Sequence, residues 1–234
     1  MIVQGVTLTG LTVADAYITT QNLTIWLDAN NTSSYSGSGT TLNDLSGNGY
    51  THTLSNSNLY TTLGGVKCFN CSSTGQVILA NSTTIQIPTN FTYISWTRVK
   101  SSNAAYRTLL RAYNTGGHAI IINTGTNVLG MWDNLPGNTG FNSSGYNMSA
   151  YGDVWAQFAI VGDASGQTFY INGQQVGLSV SKSVSGQYHY AWGNIQSAND
   201  QPWGYVANLF LYSTKLSQVQ IQQNYTALRA GYGV

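Results

Sequence analysis

A chain of 234 residues with 42% hydrophobic content has material for a sizeable core and suits one all-β domain, since single sandwiches and barrels often run to about 200–250 residues. Only 6% of the residues are charged and the net charge is +1, against about 25% charged in an ordinary soluble domain. That excludes the basic face nucleic-acid binding needs and suits contact with sugars or assembly into a larger structure, and no apolar run reaches the length of about 18 residues that spans a membrane.

The opening, MIVQGVTLTGLTVADAYITT, lacks the basic start and unbroken apolar run of a secretory signal, and because it begins on Met1 the expectation is that no leader is used. Its alternating Val3, Val6, Leu8, Leu11 and Val13 do not resemble the rest of the chain, so residues 1–20 are expected to be an arm or edge strand and residues 21–234 one domain. After the strand LTIWL comes NDLSGNGYTHTL, in which Asp44, Ser46, Asn48 and Gly49 fall at the first, third, fifth and sixth positions of a calcium loop. The twelfth position is Ser55 where that loop needs glutamate, and the chain contains no glutamate at all, its acidic residues being seven aspartates. With no Gly-Lys-Ser/Thr either, a phosphate cradle is excluded. What remains is a glycine turn with Asp44 and Asn48 placed to bond backbone amides.

Cys68 and Cys71 are spaced CFNC. Two thiols cannot complete a four-ligand zinc site and no βα context supports redox chemistry, so they are read as buried thiols or a small local disulfide. Asn-x-Ser/Thr sequons such as Asn22 and Asn224 are what a chain so rich in Asn, Ser and Thr produces by chance.

From here turn signals recur roughly every 8–12 residues between runs rich in Val, Ile, Thr, Tyr, Phe and Trp. TYISWTRV, YRTLLRAY, HAIIIN, NVLGMW, VWAQFAIVG, QTFYING and YVANLFLY read as strands. The turn Asp163 to Gly166 and the pair Asn172-Gly173 predict two successive hairpins, an antiparallel meander. One helix is expected near the end, capped by Ser217, turning Val219, Ile221, Tyr225 and Leu228 to the core and stopping at Gly231.

Four stretches together resemble the laminin G-like, concanavalin A-like jelly-roll family. They are LTIWLDANNTSSYSGSGTTLNDLSGNGYTHTLSN, FTYISWTRVKSSN, VWAQFAIVGDASGQTFYINGQQVG and GYVANLFLYSTKLSQVQIQQNYTALRAGYG, spread over residues 22 to 233. One departure is Leu42-Asn43, where relatives usually carry tryptophan before DLSGNG. The resemblance implies an all-β, antiparallel two-sheet jelly-roll sandwich with one short C-terminal helix. It also implies a family that includes lectins, adhesion modules, glycan hydrolases and structural proteins of phages and large DNA viruses, so fold alone does not choose a function.

Relatives that hydrolyse glycans place two carboxylates, typically glutamates, across a sheet. With no glutamate and no close aspartate pair, and with His52, His118 and His189 in or beside strands without a nucleophile elbow, no enzyme is expected. Relatives often hold calcium at the sandwich rim. That makes Asp133 in MWDNLPGN and Asp200 in SANDQPW the metal candidates, with turn capping as the competing role. Glycan contact would use aromatic faces and amides, and QYHYAWGNIQSANDQPWGY supplies Tyr188, Tyr190, Trp192, Asn194 and Trp203, with Gln196 and Asn199 beside them. Arg98, Lys100, Arg107 and Arg111 are expected on neighbouring strands, as a polyanion patch or a solvated face.

The resulting expectation is a contact protein of a virus particle, with other virion proteins, further copies of itself or cell-surface glycans as partners. A free extracellular lectin is the alternative, and a glycoside hydrolase the remote one.

Overall fold

The structure, a computed structural model, describes residues 18–81, 85–102, 105–113, 116–135, 140–195 and 201–234. Strands β1 (Leu23–Asp28), β2 (Thr41–Leu42), β3 (His52–Leu54), β4 (Tyr60–Leu63), β5 (Val66–Cys71) and β6 (Ile78–Ala80) are short and separated by turns. The long β7 (Phe91–Val99) comes next, then β8 (Arg107–Ala112), β9 (His118–Ile122), β10 (Val128–Asp133) and β11 (Gly140–Asn147). The chain closes through β12 (Trp155–Asp163), β13 (Gly166–Ile171), β14 (Gln174–Val180), β15 (His189–Trp192), β16 (Gly204–Val206), β17 (Asn208–Tyr212) and helix α1 (Gln218–Leu228).

All pairings between these strands are antiparallel. The first sheet runs β14-β13-β12-β7-β16-β5-β4, with β17 beside the other half of β7 and β1 beyond it. The second runs β11-β10-β9-β8-β15-β6-β3-β2. The inner faces meet in one large core that includes Ile25, Phe69, Phe91, Leu109, Ile120, Phe158 and Leu209. This is the two-sheet jelly-roll sandwich the sequence implied.

β7 carries the first sheet because it is covered on both faces. Phe91, Tyr93 and Val99 face the inter-sheet core, while Ile94 and Trp96 face outward into two smaller clusters beneath α1 and the C-terminal turn Arg229–Tyr232. Trp96 stacks on Tyr232 with centroids 4.1 Å apart and planes at 2°. Double burial explains why TYISWTRV alternates imperfectly.

Local chemistry fixes the connections. Asn172 and Gly173 have φ of 51° and 81°, the pair of positive values that closes a two-residue hairpin between β13 and β14. Ser217 caps α1 in a reciprocal box with Gln220. Two details of the expected helix change: Val219 is 77% exposed, and the helix gives way after Leu228 to a 3₁₀ turn that ends at Gly233, φ 73°, instead of at Gly231. Val219 lies off the buried face, where Ile221 and Asn224 point. The arm falls mostly outside the described residues, but at its inner end Thr19 donates its amide to Asn224 Oδ1 at 2.6 Å and accepts from the Tyr212 hydroxyl at 2.9 Å.

The turn after β2 is held by its aspartate. Asp44 accepts from the amides of Trp26, Ser46 and Tyr50 and from the Ser46 hydroxyl. Asn48 does not accept amides as expected; its Nδ2 donates to the Leu23 and Thr24 carbonyls, tying the loop to β1. Cys68 and Cys71 are free thiols, and their odd spacing on β5 sends them to opposite faces, Cys68 beside Trp96 and Cys71 into the main core. A disulfide between them is therefore excluded, and burial pushes the Cys68 thiol up to about 12. The basic residues separate too: Arg98 is on β7 of the first sheet, Arg107 and Arg111 on β8 of the second. The chain changes sheet between those strands, so of the four only Lys100 and Arg107, at the junction, come together, Arg107 Nη1 donating to the Lys100 carbonyl.

His52 and His189 form a buried pair, Nε2 to Nε2 at 3.1 Å. His52 Nδ1 faces the Tyr50 carbonyl at 3.0 Å and must donate. Its Nε2 therefore accepts from His189 Nε2–H, and His189 Nδ1, 3.0 Å from the Tyr93 hydroxyl, accepts that proton. Both rings are thus neutral in a single chain of donors. Burial pulls His52 down to about 4 and His189 well below the usual range, the nearby Asp44 only partly offsetting it for His52. Because the unfolded rings take protons at about 6.5 and the folded ones resist, stability is complete above that pH and falls as pH drops from about 6.5 to 4, by roughly 3 kcal/mol for His52 alone. Urea midpoints between pH 7.5 and 4.5 should show the decline, shallower in His52→Gln; equal slopes in the two proteins would refute this origin.

Candidate functional site

The outer face of the second sheet carries a row of side chains across three neighbouring strands. Trp132 on β10 lies opposite His118 on β9, which lies opposite Arg111 on β8. Directly opposed residues of an antiparallel pair share a face. Together with Tyr106, Asn134, Ile195 and Gln201 they line a cleft of about 460 Å³. Tyr106 meets Trp132 edge to face, centroids 5.5 Å apart at 81°. Beyond Arg111, Tyr190 meets Tyr113 in the same way, 5.1 Å apart at 78°. The face therefore offers two aromatic pairs with a guanidinium between them.

The polar groups of the cleft are oriented by one another. The Thr108 hydroxyl donates its only proton to Gln201 Oε1 at 2.5 Å, so its 2.9 Å contact with His118 is accepted from Nδ1–H. His118 Nε2 is left with its lone pair. Burial, reinforced by the adjacent Arg111, pulls this imidazole down to about 4 and keeps it neutral at physiological pH. Asn134 is fixed by donating Nδ2 to the Gly116 carbonyl at 2.9 Å. Among the described residues the lining holds amides, an imidazole, a guanidinium and aromatic rings, and no carboxylate.

Of the expected glycan contacts, Tyr190 lies on this face and Tyr188 is 43% exposed nearby. Trp192, Asn194 and Trp203 are not available to a ligand, each having no accessible surface. Trp192 and Trp203 point into the core, where their indole N–H groups are bonded by β7 hydroxyls, to Ser95 at 3.1 Å and Thr97 at 2.9 Å. Asn194 accepts from the amides of Ile195 and Gln201, clamping the base of the loop that brings those two residues to the cleft. Gly193, φ 84°, turns the chain here, and a Cβ on it would lie 2.6 Å from Cys71 Sγ. The three residues support the site without forming it. Gln196, Asn199 and Asp200 lie outside the described residues.

Asp133 does not fit a calcium site. It is 2% exposed, one oxygen accepts from the Leu135 amide at 2.9 Å, and the other faces the Lys182 ammonium at 3.8 Å, so a cation already stands beside it. The cleft-lining residues that sequence reasoning did not select as a candidate site are Tyr106, Arg111, His118, Trp132, Asn134, Ile195 and Gln201. Trp132 had a signal in MWDN, where one of two successive residues had to face outward.

The chain belongs to the concanavalin A-like lectin/glucanase superfamily, whose laminin G-like sequence profile matches residues 72–222. No curated protein matches it in sequence. Among solved structures it is similar to Trypanosoma rangeli sialidase (TM-score 0.64, 11% identity, 92% of this chain and 34% of that one). It is also similar to the botulinum neurotoxin serotype D ligand binding domain in complex with N-acetylneuraminic acid (TM-score 0.64, 17% identity, 88% and 51%). The binding domain of Paraclostridial mosquitocidal protein 1 gives a TM-score of 0.61 at 16% identity, covering 88% and 52%. The chain thus spans about a third to a half of these proteins, and the likeness is one of fold.

The supporting role of the buried indoles is testable at Thr97. Thr97→Val keeps the shape but orphans Trp203 Nε1, and should cost about 1–3 kcal/mol in urea unfolding. Thr97→Ser should restore most of it, and a Val variant as stable as the parent would show that the bond carries nothing.

Proposed function

We propose that the protein is a non-enzymatic carbohydrate-binding module that takes a sugar ring in the cleft on the outer face of the second sheet. The observation that carries this is the Trp132–His118–Arg111 row with Tyr106 turned edge-on to the indole. A pyranose has an apolar C–H face and a rim of hydroxyls. An aromatic surface takes the first, while fixed amides, a guanidinium and the imidazole lone pair take the second. The superfamily's lectins and the sialic acid named with two of the similar structures support a sugar as the ligand class. A binding role is favoured over hydrolysis because the described lining offers no pair of carboxylates to protonate a leaving group and receive the sugar.

Placement on a virus particle, one of the settings the resembled family includes, is a second proposal, supported by the neutral, hydrogen-bonding surface that a charge content of 6% leaves. Recovery of the chain from purified particles in fixed copy number is expected, and particles lacking it would leave the free lectin. For the cleft itself, a glycan array probed with the labelled chain should yield hits whose affinity Trp132→Ala lowers by about tenfold or more, as loss of a central aromatic contact does. Trp132 is partly exposed, so the variant should stay folded. Undiminished binding would overturn the assignment of the cleft.

A further inference from the structure

A second, smaller cavity of about 120 Å³ adjoins the cleft at the rim of the sandwich, lined by Lys100, Tyr106, Arg107 and Pro202 among others. Tyr106 lines both spaces. Arg107 is 2% exposed. Its two terminal nitrogens donate to neutral oxygens, Nη1 to the Lys100 carbonyl at 3.0 Å and Nη2 to Asn127 Oδ1. Its Nε is buried without a partner. Among the described residues the ion pairs are Lys182 with Asp133 and Lys215 with Asp163, so no described carboxylate answers Arg107 or Lys100. Lys100 Nζ donates to the Ser72 carbonyl at 3.2 Å, again a neutral oxygen.

A guanidinium stays charged in a protein, and burying it without a counter-charge is costly. Native structures bury charge with a partner, and an unpartnered buried donor calls for an explanation such as a bound ion or water. Burial pushes the Arg107 guanidinium down. The cavity, of about 120 Å³, has room for a carboxylate or a sulfate.

We propose that this rim cavity receives the carboxylate or sulfate of an acidic saccharide whose ring occupies the adjoining cleft. The proposal rests on the sugar-binding reading of that cleft and adds the ligand's charge. Guanidinium donors suit both groups through parallel N–H contacts, and Lys100 adds a point charge. Tyr106 stands at the junction, where the ring would meet its acidic substituent.

The test uses the full chain in two arms. In the first, the Arg107 Nε resonance is followed by NMR with sodium sulfate and sodium glucuronate, against sodium chloride at equal ionic strength. A saturable shift with either oxyanion is expected; no shift overturns the proposal. If Asp200→Asn, rather than added anion, is what moves that signal, the counter-charge is internal and the proposal fails. In the second arm, calorimetry compares a neutral oligosaccharide with its uronate and its sulfate ester. The acidic forms should bind about tenfold tighter, the size of one charge-assisted contact, and their ranking tells carboxylate from sulfate. Arg107→Met should abolish that preference and Lys100→Met should reduce it, while Lys67→Met should keep it; should Arg107→Met not fold, Lys100→Met and the resonance still decide. Equal affinity for neutral and acidic forms overturns this proposal and leaves the sugar-binding reading intact. A response to sulfate with no saccharide of either kind bound would mean an adventitious ion only, and would overturn both.

Discussion

The structure depends on a ladder of neutral hydrogen bonds that crosses the core from β7. On its inner face Tyr93, Ser95 and Thr97 succeed one another at the two-residue period of a strand, and each bonds a side chain from the 189–203 segment: His189, Trp192 and Trp203. Buried polar groups accept few arrangements, because every unpaired donor costs free energy. Three such bonds in series fix the height and register of β15 and the position of Trp203 beyond it. That segment also carries Tyr190, Ile195 and Gln201 to the opposite surface. The position of the cleft is thereby set from inside the sandwich.

The location of the cleft on the second sheet is a consequence of what covers the first. Trp96 on the outer face of β7 is capped by Tyr232 and Tyr225, and Asn208 bonds both the Trp96 amide and the Tyr232 hydroxyl. The C-terminal helix and turn close that face with a layer of rings. Among the described residues no helix covers β8, β9 and β10, and there Arg111 and Trp132 stay partly exposed while Thr108, His118 and Ile121 are buried. Trp132 and Tyr190 are accessible for the same reason that Trp96 is not.

Much of the fold was legible because its signals are local. The Asn172-Gly173 turn, the Ser217 cap and the aromatic and β-branched runs each depend on residues a few positions apart and appear where expected, except that YVANLFLY breaks at Ala207 into β16 and β17. The site was less legible because facing depends on phase. A period of two says that Trp132 and Asp133 point to opposite sides, but only the partner sheet decides which side is the core. The sequence reading chose the aspartate and the structure exposes the tryptophan. The same ambiguity left Trp192 and Trp203 open between core packing and a sugar platform; the β7 hydroxyls that bond their N–H groups lie about a hundred residues upstream. The pairing of Arg107 with Arg98 failed for a related reason, since succession in the chain does not say where it changes sheet.

A net charge of +1 says little about any one place on the molecule. Asp133 and Asp163 stand beside Lys182 and Lys215, Asp44 is held by the backbone of its own turn, and Asp28 is engaged by the amide of Asn30. Lys100 and Arg107 stand at the rim of the cleft and Arg111 within it, and the described lining there supplies no carboxylate. In a chain with so few charges, two cations without a described carboxylate beside them make a local field that the remainder does not cancel, and within a partly desolvated recess that field is screened less than on open surface. Low charge content thus sharpens an electrostatic site, because the cations at the rim have little competition from the rest of the surface.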